Sequence, residues 1–344
     1  MIFPDFIKPG DTIAVTALSR GMEQDTEIAR FESAKKSLEE LGYKVIFTDN
    51  VFAGNDRFGR SAPAGEKARQ FNELVKNPEV KAIYSAGGGD FLAEILPYID
   101  AEAFKANPKW VQGFSDNTSI LYYLASKCGV ATAYGANFGD FGMVPWDRSV
   151  KTGLGIIDGS IKVQESFETF QDGFGKRKTG LEGYAADGAV EWKNVCGAVN
   201  GKIQMEGRLI GGCMDVLMNI SGTPYDGTAD FINCFKDEGV IWYLESFDIH
   251  FEQLMEYFWK MKVMGWFEHA NGIVFGRPLF YPEQSFDGTP LPTYEEVIKE
   301  RLAELGIPII MNADIGHKGP QFVMINGAKA RIESQDGKGR LTYL

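Results

Sequence analysis

Residues 109–129, KWVQGFSDNTSILYYLASKCG, decide how the chain is read. The apolar, aromatic-rich pattern of WVQGF marks a strand. It runs without a spacer into SDNT and then into an apolar helical pattern, so residues 109–129 form a strand-to-helix unit with Ser115 at the corner. In a parallel sheet such a corner lies beyond the carboxyl end of its strand, where ligands bind. Two readings of Ser115 stand at this point. Ser115, Asp116, Asn117 and Thr118 are all residue types that cap helix N-termini. Alternatively, a sharp turn projects the Ser115 hydroxyl while the next N–H, at the positive end of the helix, points at a developing oxyanion. The G-x-S-x-G elbow is not matched, because Asn117 stands where the second glycine would be.

Outward from this unit the same alternation continues. Strand patterns at TIAVTALS (12–19), YKVIFTD (43–49), VKAIYSAGGG (80–89) and VATAYGA are interleaved with helical patterns near 25–41 and 64–76, after Asp90 and after Ser115. The pattern predicts an N-terminal doubly wound domain, a parallel sheet with helices on both faces. From about residue 140 to 200 the pattern gives way to Gly-, Lys- and Asp-rich sequence such as QDGFGKRKTGLEGYAADGA, which reads as a connector. Beyond it, GRLIGGCMDVLMNISGTPYDG, GVIWYLES, DIHFEQLMEYFWKMKVMG, NGIVFGR and a hairpin-like ending predict a smaller mixed α/β domain. We place the boundaries at 1–160 for the nucleophile-bearing domain, 161–200 for the connector and 201–344 for the C-terminal domain.

The composition narrows the function. With 44% hydrophobic and 24% charged residues the 344-residue chain is an ordinary folded protein with room for two domains. A net charge of −12 argues against nucleic acid or an anionic membrane as partner, and so for a small molecule. The first apolar run is only about eight residues long, too short for a signal or a membrane span. Cys128, Cys196, Cys213 and Cys234 form no C-x-x-C pair and read as reduced thiols, which together with the short N-terminal run predicts a cytoplasmic protein. Three histidines at no ligand spacing give no metal signature.

SAGGGD lacks both G-x-G-x-x-G and the G-K-[ST] ending of a P-loop, which removes the main support for an NAD-dependent reductase. Gly87, Gly88 and Gly89 read either as a tight turn or as backbone donors to a substrate. A nucleophilic serine needs a base. His250 falls in the first turn of an amphipathic helix and His269 in a loop after a helix. His317 ends the apolar run IPIIMNADIG between two glycines, at a strand end. Glu245 closes the apolar strand GVIWYLE and is the acid held rigidly at a cleft. Ser115, Glu245 and His317 are together the candidates for a triad.

GFSDNTS, the glycines of YSAGGGDF, GRLIGGCMDVL with GTPY, WYLES and GHKGPQ occur in the order seen in the LD-carboxypeptidase and microcin C immunity family of serine peptidases, which the chain resembles over nearly its whole length. The resemblance implies a flavodoxin or class I amidotransferase-like first domain and a Ser-Glu-His triad at Ser115, Glu245 and His317. It also implies an oxyanion hole from the amides of Gly88 and Asp116, no metal or organic cofactor, and a homodimer. It offers two substrates: a muropeptide tetrapeptide losing its terminal D-alanine, which is the leading expectation, or a peptidyl- or aminoacyl-nucleotide. For the second, Trp192 in the connector is the residue expected to stack on the base, with Gly87 and Gly89 beside the substrate. Ser246-Phe247-Asp248 after the glutamate and GGC at Gly211–Cys213 depart from the family pattern and bear on substrate preference. A nonhydrolytic binding protein of the same fold is the competing reading, and the intact Ser, Glu and His argue against it.

Overall fold

A computed structural model describes residues 1–344 throughout. The first part of the chain alternates β1 (Thr12–Thr16), α1 (Asp25–Glu40), β2 (Lys44–Phe47), α2 (Ala64–Lys76), β3 (Val80–Ser85), α3 (Ala101–Ala106), β4 (Trp110–Gly113), α4 (Thr118–Ser126), β5 (Thr132–Tyr134) and α5 (Arg148–Ile157). β1 to β5 are parallel in the order β2-β1-β3-β4-β5, the flavodoxin-like doubly wound order. Such strands are covered on both faces, and β1 and β4 are accordingly buried at every position. Phe31, Leu38, Val150 and Ile157 pack on one face, whereas Phe71, Ile120, Leu121 and Leu124 belong to the core on the other.

The rest of the chain supplies β6 (Val163–Glu165), β7 (Thr169–Phe170), β8 (Gly188–Ala189), β9 (Lys193–Cys196), β10 (Ile203–Cys213), α6 (Met214–Ile220), α7 (Thr228–Cys234), β11 (Val240–Glu245), α8 (Phe251–Val263), β12 (Ala270–Gly276), α9 (Tyr294–Leu302), β13 (Ile309–Ala313), β14 (Met324–Asn326), β15 (Lys329–Gln335) and β16 (Lys338–Tyr343). The second sheet runs β6-β16-β15-β10-β11-β12-β13-β9, with β10 to β13 parallel and antiparallel strands outside them. It is thus a mixed α/β unit. Two of its strands, β6 and β9, come from the stretch read as connector. In return β14 leaves the C-terminal part and pairs antiparallel with β5, closing the edge of the first sheet.

The two sheets meet closely. A Cβ on Gly212 would stand 2.6 Å from Thr118 Cγ2, so only glycine lets the end of β10 approach the start of α4. There the Cys213 N–H donates to Thr118 Oγ1 at 3.1 Å. Asn326 of β14 adds a buried link, accepting from the Gly211 N–H and the Tyr243 hydroxyl and donating to Thr132 Oγ1. One core, from Phe71 and Ile120 through Trp242 and Phe258, extends across both sheets. The carboxyl ends of β3, β4, β5, β11 and β13 therefore face a common cleft. No helix is long and apolar enough to cross a membrane.

Candidate active site

Ser115 follows β4 after one intervening residue, Phe114, and opens a single 3₁₀ turn that leads into α4. Its φ is +65°, the left-handed region, which costs an L-residue roughly 1–2 kcal/mol. The Ser115 side chain caps neither the turn nor α4. Its Oγ lies 2.9 Å from His317 Nε2, so the strained turn aims the hydroxyl at the imidazole rather than at helix amides.

His317 stands in the segment after β13, and its Nδ1 lies 2.8 Å from Glu245 Oε2. Glu245, the last residue of β11, is fully buried. Its second oxygen, Oε1, accepts a hydrogen bond from the Tyr134 hydroxyl at 2.5 Å. Burial alone would push the Glu245 carboxyl up, but the charge and hydrogen bond of His317, with further hydrogen bonds from Tyr134 and Cys213, hold it below its ordinary value. Burial alone would push His317 down, but Glu245 raises it above the ordinary histidine value, with Asp215 adding to the effect. The rings of Phe114 and Phe247 flank the imidazole at 5.2 and 5.0 Å between centroids. Of the other histidines, His250 is the exposed N-cap of α8, and His269 is exposed in the turn before β12.

The glycine loop after β3 lies against the serine. A Cβ on Gly88 would sit 3.1 Å from both Cβ and Oγ of Ser115, tighter than ordinary contact. The amides of Gly87, Gly88 and Gly89 donate to no acceptor within the protein, and all three residues line the cleft. The Asp116 carboxylate turns the other way. It is buried and accepts from Ser19 Oγ at 2.5 Å and from the Leu92 N–H at 2.9 Å, which ties the serine turn to the segment after β1 and to the helical turn after the glycine loop. Burial raises its pKa above the ordinary value against these hydrogen bonds.

The cleft above the serine has a volume of about 640 Å³, and connector residues Gln171, Gly173, Phe174, Arg177 and Tyr184 contribute to its lining. Arg30 of α1 holds this stretch in place by donating to the carbonyls of Gly180 and Glu182. Tyr184 donates to Asp140 at 2.6 Å. Phe174 is 68% exposed and touches Phe247 and Phe280, extending the aromatic wall away from His317. Arg177 forms no ion pair.

Trp192 does not reach the cleft. Only 3% exposed, it packs on Phe322 and donates through Nε1 to Asp314 at 2.9 Å. The residue expected to stack on a base is thus part of the core, because Trp192, just before β9, turns in against Phe322 and Gly339. The connector presents Tyr184 and the exposed Phe174 to the cleft instead, and a Gly- and Lys-rich context singles out neither. Asp314 also pairs with the buried Arg277 at 2.9 Å, and Arg277 donates to the carbonyls of Asn312 and Lys318, so this group braces both ends of the segment bearing His317.

A serine hydroxyl on a strained strand-to-helix turn, bonded to an imidazole that a buried carboxylate orients, across a cleft between two α/β domains, is the arrangement of a serine hydrolase. The chain belongs to the LD-carboxypeptidase family of serine peptidases: the family's N-terminal domain matches residues 13–135 and its C-terminal domain residues 206–332. Among its relatives, the microcin C7 self-immunity protein MccF of Escherichia coli is 28% identical over 94% of this chain and 91% of its own. The crystal structure of an MccF-like protein from Bacillus anthracis superimposes with a TM-score of 0.80 at 27% identity, covering 100% of this chain and 99% of that one. MccF in complex with aspartyl sulfamoyl adenosine matches with a TM-score of 0.78 at 25% identity over 100% and 99%.

Proposed function

We propose that this serine peptidase hydrolyses the acyl–nitrogen bond of a small aminoacyl- or peptidyl-nucleotide, with Ser115 as nucleophile, His317 as general base and Glu245 as the orienting acid. The observation that carries the substrate class is the pair of cleft-lining aromatics Phe247 and the exposed Phe174, backed by Phe280, which runs outward from the imidazole. A base stacked on such a wall gains roughly 1–3 kcal/mol and leaves the acyl group at the serine. The relative solved with aspartyl sulfamoyl adenosine supports the same class. The four cysteines, none of them paired, are consistent with a reducing, cytoplasmic setting.

In this mechanism His317 Nε2 takes the Ser115 proton as Oγ attacks the carbonyl carbon, and Glu245 steadies the imidazolium that forms. The amides of Gly88 and Asp116 receive the oxyanion. The tetrahedral adduct expels the amine with the proton from His317. Water, deprotonated by the same imidazole, then releases the acyl group from Ser115.

A second reading is removal of a terminal D-alanine from a muropeptide, favoured by Arg177, a cleft cation free of any ion pair that can receive the terminal carboxylate. Hydrolysis of aspartyl sulfamoyl adenosine and of a diaminopimelyl-D-alanine peptide, in wild type and in Phe174→Ala and Arg177→Ala, separates the two. The first reading requires faster cleavage of the adenosine compound, with KM raised in Phe174→Ala. Cleavage confined to the peptide and weakened in Arg177→Ala rejects it in favour of the second.

A further inference from the structure

We infer that Tyr134 is a positioning residue of the hydrolytic reaction, because its one hydroxyl is bonded at the same time to the orienting carboxylate and to the backbone of the nucleophile. The inference rests on the assignment of Ser115, His317 and Glu245 made above.

Tyr134 ends β5, whose neighbour β4 leads to Ser115, and Gly113 and Tyr134 are in register. The side chain is fully buried between Phe114 and Tyr243. From there its hydroxyl donates to Glu245 Oε1 at 2.5 Å and accepts the Ser115 N–H at 3.2 Å. With the bonds from Glu245 to His317 and from His317 to Ser115 Oγ, this closes a ring that leaves the serine through its hydroxyl and returns through its amide.

Three consequences follow from that ring. Held through both oxygens, the Glu245 carboxylate cannot turn away from the imidazole. The Ser115 amide, at a residue of unfavourable φ, has a buried acceptor and is thereby withdrawn from oxyanion binding, which leaves that task to Asp116 and Gly88. A donor on Oε1 also draws part of the carboxylate charge away from His317. Because β5 belongs to the first sheet and Glu245 to the second, the hydroxyl sets the acid relative to the nucleophile across the domain boundary.

The other groups around these residues are few. Tyr134 and Cys213 face Glu245, Glu245 and Asp215 face His317, and Tyr294 lies near both acids. Removing the Tyr134 hydroxyl therefore concentrates the Glu245 charge on the imidazolium. The acid limb of activity, which reports deprotonation of His317, then moves to higher pH.

The test is the rate at which an alkyl fluorophosphonate labels Ser115, measured from about pH 5 to about pH 9. In Tyr134→Phe the rate at the optimum should fall roughly 10- to 100-fold, the range for a hydrogen bond to a charged group, and the acid limb should rise by about half a unit or more. With a turned-over substrate, kcat should fall and KM stay near wild type. Should Tyr134→Phe fold poorly, 3-fluorotyrosine at position 134 keeps the shape and strengthens the donor, and should move the limb to lower pH. Tyr243→Phe, a neighbouring buried hydroxyl bonded to Asn326 outside the ring, should leave the limb in place. A Tyr134→Phe protein with a lowered melting temperature but an unmoved limb and a near-wild-type rate overturns the inference. Labelling of Ser115→Ala as fast as wild type would instead remove the triad on which it rests.

Discussion

Ser115 Oγ and His317 Nε2 lie 2.9 Å apart although 202 residues separate them in the chain. One comes from the first sheet and the other from the second, so the contact exists only when the two domains are docked. The chemistry proposed for Ser115 thereby requires the whole fold, and changes at the seam should alter it measurably.

The left-handed turn gives the first prediction. Ser115→Ala keeps the strained φ and loses the nucleophile, so kcat falls roughly 10⁴-fold or more with little change in stability. Ser115→Gly is equally inactive but relieves the strain, and should unfold about 1 kcal/mol harder than Ser115→Ala. Paired denaturant titrations measure the difference, and equal stability would show that the turn stores no strain.

The coupled pair sets the pH dependence. His317 must be neutral to act as base, and its pKa is raised, so the acid limb of kcat/KM should lie above the ordinary value of about 6.5. Stability runs the other way. A raised histidine stabilises fully below its unfolded pKa and loses that contribution as pH rises through its folded one, whereas the lowered Glu245 stabilises above its unfolded pKa and loses that contribution as pH falls through its folded one. The pair therefore contributes most in the mildly acidic range, on the acid side of the activity optimum. Glu245→Gln should flatten that stability maximum, move the activity limb down and cost roughly 10⁴-fold in kcat. Thermal unfolding and rate profiles over the same pH series check both signs.

Trp192 now carries a structural prediction. Trp192→Ala should cost about 3–5 kcal/mol through lost packing and should slow all substrates alike, because the Asp314–Arg277 brace beneath His317 loosens with it. Selective loss of nucleotide substrates at unchanged stability would return Trp192 to the cleft.

Much of the fold was legible because the first domain is built from local signals. The helix expected near 64–76 is α2, and the strand ends carrying Gly88, Ser115, Glu245 and His317 lie where period and punctuation put them. What the pattern could not show was exchange between the parts of the chain. Met324–Asn326 pairs with β5, while Val163–Glu165 and Lys193–Cys196 join the second sheet. Strands of three or four residues at a sheet edge have too little periodicity to name their partner. Tyr134 escapes a sequence reading for a related reason: in VATAYGA it reads as one more apolar strand residue, and what sets it apart is a hydroxyl shared between partners 19 and 111 residues away. Resemblance alone places Trp192 in the cleft, and its burial depends on how β9 folds back against β13.

The most direct measurement is to label the pure protein with a fluorophosphonate and locate the adduct by peptide mass spectrometry. The hydroxyl oxygen should bond to phosphorus with loss of fluoride, at Ser115 and nowhere else, and the adduct should form at least about a hundredfold more slowly in His317→Ala. An adduct at any other residue, or turnover of substrate by Ser115→Ala at the wild-type rate, would contradict the account.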